Sequence, residues 1–239
     1  MKHVMLDLET WGVTPGNDLR SIGACTFDPE RGVVNNFSPV GGSSQFYAAT
    51  DNPPIALTTP HFSHWDDVEK VNRKYPLTRD PKTAEWWSKQ SAEAQAAFAD
   101  PIDLAEALIA FSEWLVSIGP KDEIRLWSKG PHFDISILEA AYRCVGFDVP
   151  WHYRAPRDMR TIAEAAGMTD EEIRALSVGN AHNALDDAIS QAMVVCEAYH
   201  RLRPRHDTPF LPTEDGEFNG NEESERHLGI YGEAGPHEG

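Results

Sequence analysis

The spacing of hydrophobic and polar positions along the chain changes several times, and each change marks an element. In VMLDLETWG, residues 4 to 12, apolar side chains alternate with acids. Leu6 and Leu8 therefore fall on one face of an extended strand, and Asp7 and Glu9 fall together on the other. The same reading predicts strands over residues 3–8, over 20–27 after a Pro-Gly turn, and over 45–49, which together suit an antiparallel meander. Residues 52–79, rich in Pro, His and Asp, read as a long loop of the kind that contributes to a binding surface or moves. Helical spacing follows over 83–99 and 102–117, the second with Leu104, Leu108, Phe111 and Leu115 on one stripe. A short strand is predicted over 124–127, a helix over 134–145 and a last, long helix from about 182 to 202. Strands first, then strands alternating with helices, predict an α/β architecture with a mixed sheet flanked by helices. From Pro204 onward the periodicity stops, so residues 1–203 read as one folded domain and 204–239 as a poorly ordered or peripherally docked tail.

Composition narrows the class. The chain has 239 residues, 41% of them hydrophobic, which is ordinary for a globular protein with a sizeable core. No run reaches the ~18 apolar residues of a membrane span, and the N-terminus lacks a basic flank and an apolar signal segment, so a cytoplasmic protein with no membrane partner is expected. Cys25, Cys144 and Cys196 are scattered among apolar neighbours and read as small core residues rather than disulfide or zinc ligands. The net charge of -17 argues against nucleic-acid binding by bulk attraction. It does not exclude a nuclease, because acids gathered around divalent cations attract phosphate once the metals are bound. Four Arg against nine acids over residues 201–239 give that end a net -5, so the folded part is acidic in its own right.

Asp7 and Glu9 are the first candidates for chemistry. Two carboxylates side by side repel unless a cation lies between them, although an isolated pair of this kind is more often a solvated sheet face. Asp134, in GPHFDISILEAAYR, opens an amphipathic helix. Taken alone it would be a capping or first-turn acid, yet it follows a strand, where α/β proteins collect their ligands. In AHNALDDAISQA, Asp187 shares a helical stripe with Ala184, Ala188 and Gln191, and the small residues would let this helix approach the sheet closely. Asp187 is therefore assigned to the site, and Asp186 to a supporting or solvent-facing place. His182, five residues before Asp187, is expected at the helix start or in the preceding loop, from where it can reach over the site.

With these residues in view the chain resembles the DEDDh group of DnaQ-like 3'-5' exonucleases, which have an RNase H-like fold. DLET matches the first motif, HFD the second and HNALDD the third, in the family's order and framing about the first two hundred residues. TAEWWSKQSAEA further resembles a WWxxQ helix of a branch that includes phage exonuclease A proteins and small bacterial 3'-5' exoribonucleases. Trp11 departs from the pattern, since many members carry a small residue there. The resemblance implies an RNase H-like mixed five-stranded sheet flanked by helices. It implies Asp7, Glu9, Asp134 and Asp187 as ligands of two Mg2+ or Mn2+ ions, with His182 taking the proton from the attacking water. By the same resemblance Thr10 and Gly12 lie beside the terminal nucleotide, with Trp86 along Gln90 as the stacking candidate; Trp87, Trp114 and Trp127 read as core. The implied partners are single-stranded RNA or DNA 3' ends, with RNA slightly preferred, and homodimerisation is common among members. Two other readings stay open: a catalytically silent nucleic-acid-binding module of the same fold, and an RNase H-like endonuclease.

Overall fold

The computed structural model describes residues 1–34, 43–53 and 73–203. Met1–Arg203 forms one compact unit, and the tail expected from Pro204 lies outside the described residues. So does most of the loop expected over residues 52–79.

The first long strand, β1 (Lys2–Thr10), has neighbours on both sides: β2 (Leu19–Asp28) antiparallel and β6 (Ile124–Ser128) parallel. Central strands are covered on both faces and tend toward continuous apolar runs. Val4, Met5 and Leu6 are accordingly all fully buried. Val4, Leu6 and Leu8 enter the core built with α3 (Leu104–Ile118) and α4 (Asp134–Val145), whereas Met5 faces the opposite core, built with α5 (Met159–Ala165) and α7 (Ala184–Leu202). Strand alternation then carries Asp7 and Glu9 onto the α7 side. The apolar stripe of α3 is the buried one, with Leu104, Leu108, Phe111 and Leu115 each fully buried. Each such side chain contributes roughly 1.5–3 kcal/mol of transfer free energy.

The sheet runs β5-β4-β2-β1-β6-β7, with β3 (Val33–Val34) beside β2; β4 is Gln45–Asp51, β5 Ile102–Asp103 and β7 Pro156–Asp158. β2 and β4 are antiparallel and β6 and β7 parallel. Apart from the two-residue β3 and β5, five strands remain in the order β4-β2-β1-β6-β7, a mixed set of the number that the resemblance implies. The sheet nevertheless has seven strands, not five. The additional β3 and β5 are two residues each, too short for any alternation to register in sequence. Ile102 and Asp103 pair with β4 instead of opening the helix, because the Asp103 carboxylate accepts from the Ala105 N–H and caps it there. The helix expected over 83–99 is likewise two: α1 (Pro81–Ser88), capped by Asp80, and α2 (Ala92–Ala96), capped by Ser91. Both β7 and the short helices α5 and α6 (Asp170–Ala175) escaped the periodic reading, although the Thr169/Glu172 capping box of α6 is a legible start signal.

All three cysteines are free, Cys25 and Cys196 in the core and Cys144 partly buried. Among the described residues no helix is long and apolar enough to cross a membrane.

At the start of β1, His3 lies among Phe27, Trp127 and Tyr199, and its Nδ1 accepts from the Trp127 indole N–H at 3.0 Å. Burial, reinforced by the N-terminal amine, lowers its pKa to about 4. The unfolded chain takes a proton near pH 6.5 that the folded chain refuses until about pH 4. Stability is thus retained above pH 6.5 and lost as pH falls toward 4, by about 1–2 kcal/mol once solvent screening of this partly exposed ring is allowed for. Urea midpoints at pH 7 and pH 4.5 should therefore differ less in His3→Phe than in the wild type; equal differences would remove His3 as the cause.

Candidate active site

β1 and β6 run parallel, so their C-terminal ends emerge at one edge of the sheet. β1 delivers Asp7 and Glu9 to that edge, and the turn after β6 delivers Asp134 at the first position of α4. Asp134 is buried, and its carboxylate accepts from the Leu8 backbone N–H at 3.3 Å, tying the second motif to the first strand.

The third motif arrives on α7. Its cap is Asn183, whose side chain accepts from the N–H groups of Leu185 and Asp186. Asp187, one turn in, accepts from the His182 backbone N–H at 3.1 Å, so His182 lies just before the helix with a left-handed φ of 65°. Asp186 turns away and accepts from the Asn180 N–H at 2.8 Å, holding the loop that leads to His182.

The approach of α7 depends on Gly23, which pairs with Asp7 across β1 and β2. A Cβ there would lie 2.1 Å from the Ala184 carbonyl carbon, and Ala184 and Ala188 are fully buried. Gly23→Ala should lower stability by roughly 1–3 kcal/mol through overpacking and push the start of α7 away from the acids, costing activity as well. Denaturant melts and turnover of this variant at wild-type levels would show that the contact relaxes freely.

Glu9, His182 and Asp187 bring ligating atoms within 4.8 Å of one another. Asp7 lies beside them, with its Oδ1 accepting from Gln191 Nε2 at 2.6 Å. All four carboxyls titrate above their ordinary range. Burial raises Asp7 well up, followed by repulsion from Asp134, Glu9 and Asp187, against one opposing hydrogen bond from Gln191. Burial and then Asp187 raise Glu9 to about 8, with Arg20 partly offsetting them. Asp134 rises to about 6 through burial, opposed by the Leu8 N–H, and Asp187 rises through burial, opposed by the His182 N–H. Clustered, desolvated oxygen donors that resist ionising together fit hard divalent cations such as Mg2+ or Mn2+.

The cluster opens into a cleft of about 600 Å³. Thr10 and Trp86 line it, as do Lys82, Lys129 and Phe133. The Trp86 ring is 43% exposed and meets the His182 imidazole edge-on, at 4.9 Å between centroids. Trp87 is buried, donating from its indole N–H to the Thr10 carbonyl at 2.8 Å and packing on Phe98. Gly12 and Gln90 are not among the lining residues. A Cβ on Gly12 would lie 2.3 Å from the Asn17 side chain, and Gln90, just past the end of α1, donates from its side-chain amide back to the Trp86 carbonyl. Trp11 is held between two guanidinium groups, Arg20 at 4.4 Å and Arg79 at 4.5 Å from its ring centroid. It braces the start of α1, where its carbonyl accepts from the Asp80 N–H. Sequence reasoning left Gln191, Gly23 and Arg20 without a part. Only Gln191 carried a signal, since it is four residues beyond Asp187 on the same stripe.

A family model described as the 3'-5' exoribonuclease Rv2179c-like domain matches residues 2–199. No curated protein matches the chain. Among solved structures it is similar to cell-death related nuclease 4 (CRN-4), at 10% identity, with 83% of this chain and 64% of that one covered and a TM-score of 0.48. The chain thus spans less than two thirds of that nuclease. The Mg2+- and Mn2+-bound form of S. pombe Pop2p is similar at 15% identity, with 84% and 83% covered and a TM-score of 0.48. The nuclease domain of 3'hExo, a DEDDh family member bound to rAMP, is similar at 12% identity, with 83% and 92% covered and a TM-score of 0.47.

Proposed function

The chain belongs to the Rv2179c-like 3'-5' exoribonuclease domain family, a family of nucleases, and from that premise we propose that residues 1–203 form a metal-dependent 3'-5' exonuclease domain. It releases nucleoside monophosphates from single-stranded ends or 3' overhangs, with RNA slightly preferred over DNA. The observation that supports this reading is the approach of Glu9, His182 and Asp187 to within 4.8 Å of one another in a cleft that Asp7 also lines, with Asp134, outside the lining, tied to β1 through the Leu8 N–H and every carboxyl raised in pKa. The four carboxylates would hold two Mg2+ or Mn2+ ions, which supply charge neutralisation at phosphorus and stabilise the attacking and leaving oxygens.

The chain's own residues do the rest. His182, which lines the cleft beside Glu9 and Asp187, would accept the proton of the attacking water, a task suited to imidazole at neutral pH. Asp187 accepts from its backbone N–H and so fixes the loop that presents it. Thr10 is held from both sides, its hydroxyl donating to the Gly12 carbonyl and its own carbonyl accepting from Trp87, which makes this turn a rigid wall for a terminal nucleotide. Trp86 offers a half-exposed face for base stacking, worth about 1–3 kcal/mol per base. The preference for RNA is supported by the family's description and by the WWxxQ resemblance.

End-labelled RNA and DNA, incubated with and without Mg2+ or Mn2+ and with open or blocked 3' ends, test the reading. Mononucleotide release from open 3' ends in the presence of metal is expected. Cleavage of circular substrates would point to an endonuclease, and binding without cleavage in metal to a silent module.

A further inference from the structure

We propose that Gln191 is a positioning residue for the metal site, holding the Asp7 carboxylate in the orientation that accepts the cation; this rests on the metal-dependent reading above. Asp7 is partly buried at the cleft wall and is repelled by three other acids, Asp134, Glu9 and Asp187. Among the described residues, its side-chain hydrogen bond is with Gln191, whose Nε2 donates to Asp7 Oδ1 at 2.6 Å. A carboxylate under repulsion from three directions turns toward whatever donor is fixed in place, so the direction of Asp7 follows the direction of this amide.

Two features mark Gln191 as placed for that contact. Its own Oε1 is buried with no partner among the described residues, although the residue is only 8% exposed. An amide in a core normally satisfies both ends; this one leaves its carbonyl unpaired while keeping its N–H on Asp7. The second feature is its position on α7. Asp187 and Gln191 are one turn apart on a single face, so one rigid element aims a carboxylate at Glu9 and His182 and a donor at Asp7. The fully buried Ala188 and Ala192 along one flank of this face let that element press on the sheet, and Gly23 opposite Asp7 admits the backbone of Ala184. Any shift of α7 therefore moves both ends of the cluster in step.

Mn2+ binding to Gln191→Leu, followed by electron paramagnetic resonance without substrate, tests this directly. Affinity should fall about 10- to 100-fold, as for other residues that orient ligands, while the metal-free melting temperature stays within a few degrees of wild type. At saturating Mn2+, kcat for a short oligonucleotide should fall with KM little changed. Gln191→Met carries the same comparison should the branched side chain disturb helix packing, and Gln191→His, which restores an N–H there, should recover part of the affinity. Mn2+ affinity within twofold of wild type in Gln191→Leu or Gln191→Met would overturn the inference and leave the metal reading standing. A wild-type protein that binds no Mn2+ would overturn both.

Discussion

Asp7→Asn is expected to abolish hydrolysis and, at the same time, to make the metal-free protein more stable. On the proposed reading Asp7 is a metal ligand, and its loss would remove several kcal/mol of charge stabilisation at phosphorus, or about 10³-fold or more in turnover. The stability effect has the opposite sign because Asp7, desolvated and repelled by Asp134, Glu9 and Asp187, resists ionising. Asparagine keeps the shape, still offers an oxygen to Gln191 and carries no charge. A gain of about 1 kcal/mol or more is expected in chelator at pH 8, or about 2–4 °C in Tm for a domain of this size. Mg2+ should reverse the ranking. A ligand at 100 times its Kd stabilises by about 2.7 kcal/mol, and only the wild-type cluster is whole. Melting in chelator and in excess Mg2+, beside a turnover assay, checks both halves. A variant that melts below wild type in chelator, or hydrolyses within tenfold of it, would count against this account of Asp7.

The same electrostatics set a pH dependence for the metal-free protein. Glu9 ionises near 4.5 in the unfolded chain but holds its proton to about pH 8 when folded. Within that window the folded state binds more protons, so this contribution to stability is fully present below pH 4.5 and is lost as pH rises toward 8. His3 acts in the opposite sense below pH 6.5, so the two are separated only by comparing variants.

His182→Ala is expected to retain metal binding and lose most turnover, about 10²- to 10⁴-fold, the usual range for removing a general base. The structure adds a second consideration. His182 contributes a ligating atom within 4.8 Å of Glu9 and Asp187, so its ring is close enough to be a ligand instead. Mn2+ titration separates the roles: affinity within a few-fold of wild type assigns proton transfer, and its collapse assigns ligation. Alanine adopts the left-handed φ of 65° less readily than histidine or asparagine do. Asparagine, which tolerates that region, is therefore the paired variant. Loss of the acidic limb of the pH-rate profile in both variants supports the general base, whereas full activity across pH would remove it.

Local chemistry made much of this site legible. Period-two alternation in VMLDLETWG placed Asp7 and Glu9 on one face, and the small residues of the HNALDD helix singled out Asp187 over Asp186. Asp186 indeed turns to the Asn180 backbone. Shorter elements were not legible, because two- and three-residue strands and six-residue helices have too few positions to show a period. The break in the helix expected over 83–99 follows from the Ser91 cap competing with continued helix, a contest that propensity alone does not decide.

The residues and their order were enough, by themselves, to determine which side chains share a strand face or a helix stripe, and hence which acids can act together. Those are local properties, fixed by the geometry of one element. What only the tertiary structure decided is what surrounds them. Gly23 lets α7 touch the sheet, Gln191 supplies the hydrogen bond to Asp7, and Trp11 is held by Arg20 and Arg79. Each of these contacts joins segments far apart in the chain, and their energies depend on distance and burial, which exist only once the chain has folded.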